Sequence, residues 1–99
     1  MKTRKSGSRL SLDELDELAP GVMGYAIRRG KSVYIPLIEA TAEGAGDVGR
    51  FLDSLPGEFQ CAKIPNVISM KLQEMLERRG FRKTVEQSDC GMVDVWVKP

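Results

Sequence analysis

Apolar positions along this chain change their spacing several times, and each change predicts an element. Residues 22–28 (VMGYAIR) and 33–40 (VYIPLIEA) are two nearly continuous apolar runs, separated by Arg29-Gly30-Lys31-Ser32. Val33, Tyr34 and Ile35 favour strands, and a short break containing glycine between two such runs predicts a β-hairpin. Pro36 has no N–H to give to a ladder, so the second strand should bulge or lose pairing there. Val48, Phe51, Leu52 and Leu55 then recur at i, i+3, i+4 and i+7, one face of an amphipathic helix that Pro56-Gly57 ends. Residues 58–64 (EFQCAKI) read as a short buried strand, and strand, helix, strand in this order suggests a right-handed parallel crossover.

A second helical stripe follows in Ile68, Leu72, Met75 and Leu76. Asn66 stands before it as the expected N-cap, and Arg78, Arg79 and Gly80 supply a basic last turn and a C′ glycine. Residues 81–86 and 92–97 form two closing strands joined through residues 87–91. In the last one Val93, Val95 and Val97 alternate with Asp94, Trp96 and Lys98, which puts Trp96 on the face opposite the valines. Upstream, Ser11-Leu12-Asp13-Glu14 has the form of a capping box and predicts a helix over 12–19, stopped by Pro20-Gly21. The expected order is α-β-β-α-β-α-β-β, a mixed α/β fold (an α+β mixed sheet) without internal repeats.

Composition narrows the chemistry. The chain has 99 residues, enough for one modest core; 41% are apolar and 29% charged, as in an ordinary globular domain. Histidine is absent, which removes the usual general base and any imidazole metal site. Cys61 and Cys90 have no ligand spacing, so no metal is expected. Cys61 reads as an inert member of the buried strand, and Cys90 as a loop thiol. No stretch reaches the roughly 20 apolar residues of a membrane span. The first residues (MKTRKSGSR) lack the apolar core of a secretory signal. The expectation is a cytoplasmic protein, or a component of a larger intracellular or viral assembly, with no membrane partner.

The net charge of +1 conceals an asymmetry. Lys2, Arg4, Lys5 and Arg9 occur with no acid among them, and the remaining residues have 11 bases against 14 acids. Residues 1–10 are expected to be a flexible basic arm before a single domain over 11–99. Such an arm is either a solvated tail or a contact to nucleic acid or an acidic protein surface.

Gly44-Ala45-Gly46-Asp47-Val48-Gly49 matches G-x-G-x-x-G before the first of these two helices. A dinucleotide fingerprint would need its first glycine tight against the strand and an acid closing the next one. Thr41-Ala42-Glu43 intervene, and Lys63-Ile64-Pro65-Asn66 contains no acid. A different resemblance covers residues 21–97. The run GYAIRRGKSVYIPLIEA resembles the hairpin and bulged central strand of the GNAT acyltransferase family. GAGDVGRFLDSL resembles that family's pyrophosphate loop and helix, and PNVISMKLQEMLERRGF its next helix, with Asn66 and Gly80-Phe81 at the family's spacing.

The resemblance implies a GNAT-like fold truncated at its N-terminus. It also implies a coenzyme A site built from Gly44, Gly46, Val48, Gly49 and Asn66, the last beside the pantetheine arm. Two departures point away from catalysis. Asp47 replaces a glycine of the loop and would oppose an incoming diphosphate. Leu76 occupies the position at which many members have a tyrosine that protonates the leaving thiolate, and leucine has no proton to give. The resulting expectation is a non-catalytic GNAT-like domain with no bound cofactor. It would act on a protein partner or as a homo-oligomer, through the sheet edge that truncation leaves open. The alternative is an acetyl-CoA-dependent N-acetyltransferase, with Glu39, Glu43 or Glu58 as the base.

Overall fold

The computed structural model describes residues 1–5, 14–42, 44–57, 59–88 and 91–98. Strands β1 (Arg4–Lys5), β2 (Asp16–Ala19), β3 (Val22–Arg29) and β4 (Ser32–Ala40) come first. Helix α1 (Asp47–Ser54), a 3₁₀ turn (Leu55–Gly57) and β5 (Cys61–Pro65) follow. Helix α2 (Met70–Arg78), β6 (Arg82–Ser88) and β7 (Gly91–Lys98) complete the chain. The strands make one seven-stranded mixed sheet in the order β1-β3-β4-β5-β7-β6, with β2 also on β3.

The predicted hairpin is β3–β4, and the bulge lies at the predicted proline. Tyr25 faces Leu37 and Ile27 faces Tyr34, so Ile35 and Pro36 together oppose Ala26. Next to it the two backbones approach so closely that a Cβ on Gly24 would overlap the Leu37 carbonyl oxygen. Beyond the bulge β4 parts from its other neighbour. Its parallel pairing with β5 covers only Ser32, Val33 and Tyr34, while β5 continues against β7 from Ala62 to Pro65. Among the described residues the upper half of β4, Ile35–Ala40, is paired on its β3 side alone. The expected parallel pair on either side of α1 is therefore present.

Both helices lie on one face of the sheet. Phe51, Leu52, Leu55 and Leu76 join Val22, Ala26, Val33, Ile35, Ala62, Ile64 and Trp96 in a single buried cluster. Each large side chain of this kind contributes about 1.5–3 kcal/mol on burial, so the α1 stripe alone accounts for the docking of that helix. Tyr25, Ile27 and Val95 are buried outside the cluster; by strand alternation they belong to the opposite face. Trp96, expected on the side away from the valines, is on that side and is buried at 6% exposure. Its cross-strand partner is Ile64, which points it beneath the helices.

Several expectations are corrected. Asp16–Ala19 is a strand rather than the second half of a helix over 12–19; residues 6–13 lie outside the described set. Asp16 and Leu18 are buried while Glu17 is exposed, a period of two. Arg4 holds Asp16 inward through Nε–H to Oδ2 at 2.8 Å. The edge expected to be open is β3, and it is covered: β1 pairs in parallel with Ile27 and Arg28, and β2 pairs antiparallel with Val22–Gly24. Within the expected arm, Arg4–Lys5 is thus part of the sheet.

Two smaller corrections follow downstream. The strand expected over 58–64 begins at Cys61, with Phe59 buried ahead of it and Cys61 only half-buried. Helix α2 begins three residues later than its expected cap would place it. Asn66 takes a left-handed φ of 53° and gives its N–H to the Asp94 carbonyl, as the chain turns off the sheet after Pro65. Asparagine tolerates that conformation better than most residues.

Candidate functional site

The parting of β4 from β5 opens a cleft of about 740 Å³. Ile38–Ala42 form one wall, Gly44 and Gly46–Val48 the floor, and Ser69, Lys71, Leu72 and Met75 of the second helix the opposite wall. Of the sequence-derived candidates, Glu39, Gly44, Gly46 and Val48 meet here. Asn66 and Gly49 are not among the lining residues, and Glu43, Glu58, Arg9 and Cys90 lie outside the described residues.

The glycines do different jobs. Gly44 and Gly46 have φ of 80° and 76°, a left-handed loop that turns the chain from β4 into α1. Gly46 is the N-cap and supplies no side-chain acceptor. Gly49 is buried inside α1, where a Cβ would stand 2.9 Å from an Arg79 terminal nitrogen. The space of its missing side chain is taken by the end of the Arg79 side chain, which comes from the C-terminus of α2. Arg79 is fixed there by Asp53 Oδ1 at 2.8 Å and the Met75 carbonyl at 3.0 Å.

Asp47 was expected to fill the anion site of the loop with its own carboxylate. In the structure the carboxylate is ion-paired with Arg50 and packs over Gly21, where a Cβ would overlap it. Among the described residues it accepts from no helix amide, and its charge is balanced by Arg50 one turn away. The helix that carries it nevertheless places an acid in the lining of the cleft.

The wall contributed by α2 was missed from sequence. Ser69, not Asn66, caps this helix, its hydroxyl accepting from the Leu72 N–H at 3.2 Å. Placing the cap three residues too early hid Ser69, and from sequence Lys71 reads only as part of an ordinary solvated helix face with Glu74, Glu77 and Arg78. Ser69 directly before the run Met70–Arg78 was the available signal, a serine without a Glu or Gln three residues on and so weaker than the asparagine after proline. Leu76, at the position expected to lack a proton donor, is fully buried in the core. Lys71 and Glu39 are exposed and have no ion-pair partner among the described residues.

The basic N-terminus is committed elsewhere. Arg4 also donates to Asp16 Oδ1 at 3.3 Å and to the Glu14 carbonyl at 2.9 Å, and its guanidinium lies 4.2 Å from the Tyr25 ring centroid. Lys2 stands 3.5 Å from the same carboxylate. Hydrogen bonding to Arg4, opposed by desolvation and helped by the charges of Arg4 and Lys2, holds Asp16 below the usual carboxylate range. Of the four cations expected on a free arm, Lys2 and Arg4 therefore serve an internal carboxylate.

Among the described residues no group of three or more His, Cys, Asp or Glu is placed to hold a metal ion, and no helix is long and apolar enough to cross a membrane. Comparison of the chain with family models, curated proteins and solved structures gives no match.

Proposed function

We propose that this is a non-catalytic GNAT-like domain that binds an extended segment of a protein partner in the cleft, along the unpaired half of β4. The order of hairpin, bulged and diverging strand, glycine loop, helix, strand, helix and hairpin supports the GNAT-like reading. The observation that carries the function is the edge of Ile35–Ala40, unpaired on its β5 side among the described residues, opening onto the cleft. An unpaired strand edge offers main-chain donors and acceptors to an incoming strand. The side chains around it offer one exposed carboxylate, one exposed ammonium and apolar walls, which suit recognition better than acyl transfer.

Acetyl-CoA at millimolar concentration is expected to give no heat in titration calorimetry and no rise in melting temperature, because a ligand that binds only the folded state must stabilise it. Recovery of a partner from host extract is expected to be lost when the two exposed cleft charges are reversed together (Glu39→Lys with Lys71→Glu). A clear rise in melting temperature with acetyl-CoA overturns the proposal in favour of the second reading, a coenzyme A-dependent N-acetyltransferase. One feature favours that reading: the left-handed Gly44 and Gly46 deliver a helix start without a side-chain cap, and free amides there suit a phosphate.

A further inference from the structure

Charge on this domain is sorted by end. Arg28 and Arg29 finish β3, and Lys31 sits in the turn to β4. The register Lys5↔Arg28 brings β1 to the same level. Across the sheet, Ala62↔Lys98 and Val97↔Arg82 put the last residue of β7 and the first of β6 there too. Six described cations face carboxylates: Lys2, Arg4, Arg50, Lys63, Arg79 and Lys83. Lys5, Arg28, Arg29, Lys31, Arg82 and Lys98 face none among the described residues. Arg78, in the last turn of α2, ends on this side as well, next to the exposed Glu77, whereas Lys71 is at the cleft end.

The cations form two rows. Cross-strand partners share a face, so Lys5, Arg28 and Lys98 project from the helix-bearing face and Arg29 and Arg82 from the other. Each row crosses four interstrand spacings, about 19 Å. At a rise of about 3.4 Å per phosphate along one DNA strand, that length matches five or six phosphates.

Three of the side chains are held in place by rings. Arg28 lies 5.3 Å from the Phe59 centroid, Arg29 4.8 Å from Tyr34 and Lys98 5.8 Å from Phe81. Phe59 and Phe81 are 7% and 2% exposed, so they support the cations and leave no face on which a base could stack; Tyr34 is half-buried with Arg29 over its ring. Among the described residues the large exposed apolar side chains are Leu15, Ile68, Met70, Val85 and Met92. Ile68, Met70 and Met92 lie at the opposite end, where α2 and β7 begin. Val85 is midway along β6 and Leu15 precedes β2, so they form no cluster at the basic end that could enter a bilayer.

We propose that this basic end of the sheet binds the phosphate backbone of double-stranded nucleic acid without reading its sequence. Binding requires only charge at the right spacing, and the contacts position the protein without specifying bases.

The test is fluorescence anisotropy of a labelled 20-base-pair duplex with the full chain between 50 and 200 mM salt. With about four phosphates neutralised, log K should fall with log salt at a slope of about −4, alike for two unrelated sequences. The triple variant Arg28→Ala, Arg29→Ala, Lys31→Ala should weaken binding at least about tenfold and flatten the slope by about 2 to 3. Arg28→Lys with Arg29→Lys should retain most of it, and Lys71→Ala all of it. These side chains are exposed, so an unchanged melting temperature separates lost contacts from lost fold. No binding at 50 mM salt overturns the proposal. So does an equal loss with Lys71→Ala, a preference for single strands, or equal affinity for poly-glutamate or phosphatidylserine vesicles.

Discussion

At the scale of single residues, the position that tolerates least change is one at which main chain occupies the space of a side chain. Gly24 meets the Leu37 main-chain carbonyl, whereas Gly49 meets only the far end of the Arg79 side chain, which can shift. Gly44 instead has open space around its missing Cβ and is constrained only by its positive φ. Gly24→Ala is accordingly expected to cost about 3 kcal/mol, since the backbone itself must move. Gly44→Ala should cost only about 1–2 kcal/mol for the left-handed conformation. Denaturant melts of the two variants check this, and equal losses would mean that the β3–β4 approach is looser than described. The sequence singled out Gly44 and Gly49 as parts of one loop motif. It had no means of showing that one serves a turn and the other lies against Arg79, because that partner of Gly49 is 30 residues away in the chain.

At the scale of elements, the β3–β4 hairpin, the bulge at Pro36, both helices and the β6–β7 pair could be read from periodicity, Gly and Pro. These signals are local, and local signals survive folding. The failures came where a distant partner outweighed the local pattern. The Ser11–Glu14 capping box and the face that Leu12, Leu15 and Leu18 would share favour a helix, yet Arg4 pairs with Asp16 and the edge of β3 takes Asp16–Ala19 as a strand. Asn66 has the right neighbours for an N-cap, yet its amide is claimed by Asp94 across the sheet. Ser69→Ala is expected to destabilise by about 1 kcal/mol through loss of the cap. Asn66→Gly should be neutral or slightly stabilising, because glycine accepts the left-handed turn. Thermal melts of the pair distinguish the two positions, and the reverse ranking would restore Asn66 as the cap. The cleft was half legible for the same reason: its floor is a contiguous glycine segment, and its far wall depends on where α2 starts.

At the scale of the whole molecule, stability should depend on acidity through Asp16. Its folded-state proton affinity is lowered, chiefly by the bond from Arg4. The carboxylate therefore stabilises the fold at pH values above about 4, its ordinary range when unfolded. That contribution is lost as pH falls through the lower folded value. Asp16→Asn is expected to lower the melting temperature at pH 7 by several degrees, on the order of 1–2 kcal/mol. The gap between the two proteins should shrink as both are taken toward pH 3. A gap that stays constant across that range would mean that Asp16 contributes shape and not charge.

The same scale shows charge and opening placed at opposite ends of one sheet. The cleft lies where Glu39, Asp47 and Lys71 are, and the other unpaired cations of the described sheet strands lie toward the hairpin turn. A ligand at one end leaves the other unobstructed, so the two proposals can succeed or fail independently.

The close approach of Gly24 to Leu37 has a further consequence for redesign. β4 leaves β5 after Tyr34, just before the bulge, and beyond the bulge main chain is pressed against main chain on its β3 side. Exposed side chains facing the gap, such as Glu39, Thr41 and Lys71, can be exchanged without touching that backbone contact. The domain is thus a frame whose mouth can be re-lined for a chosen guest while its hinge stays put.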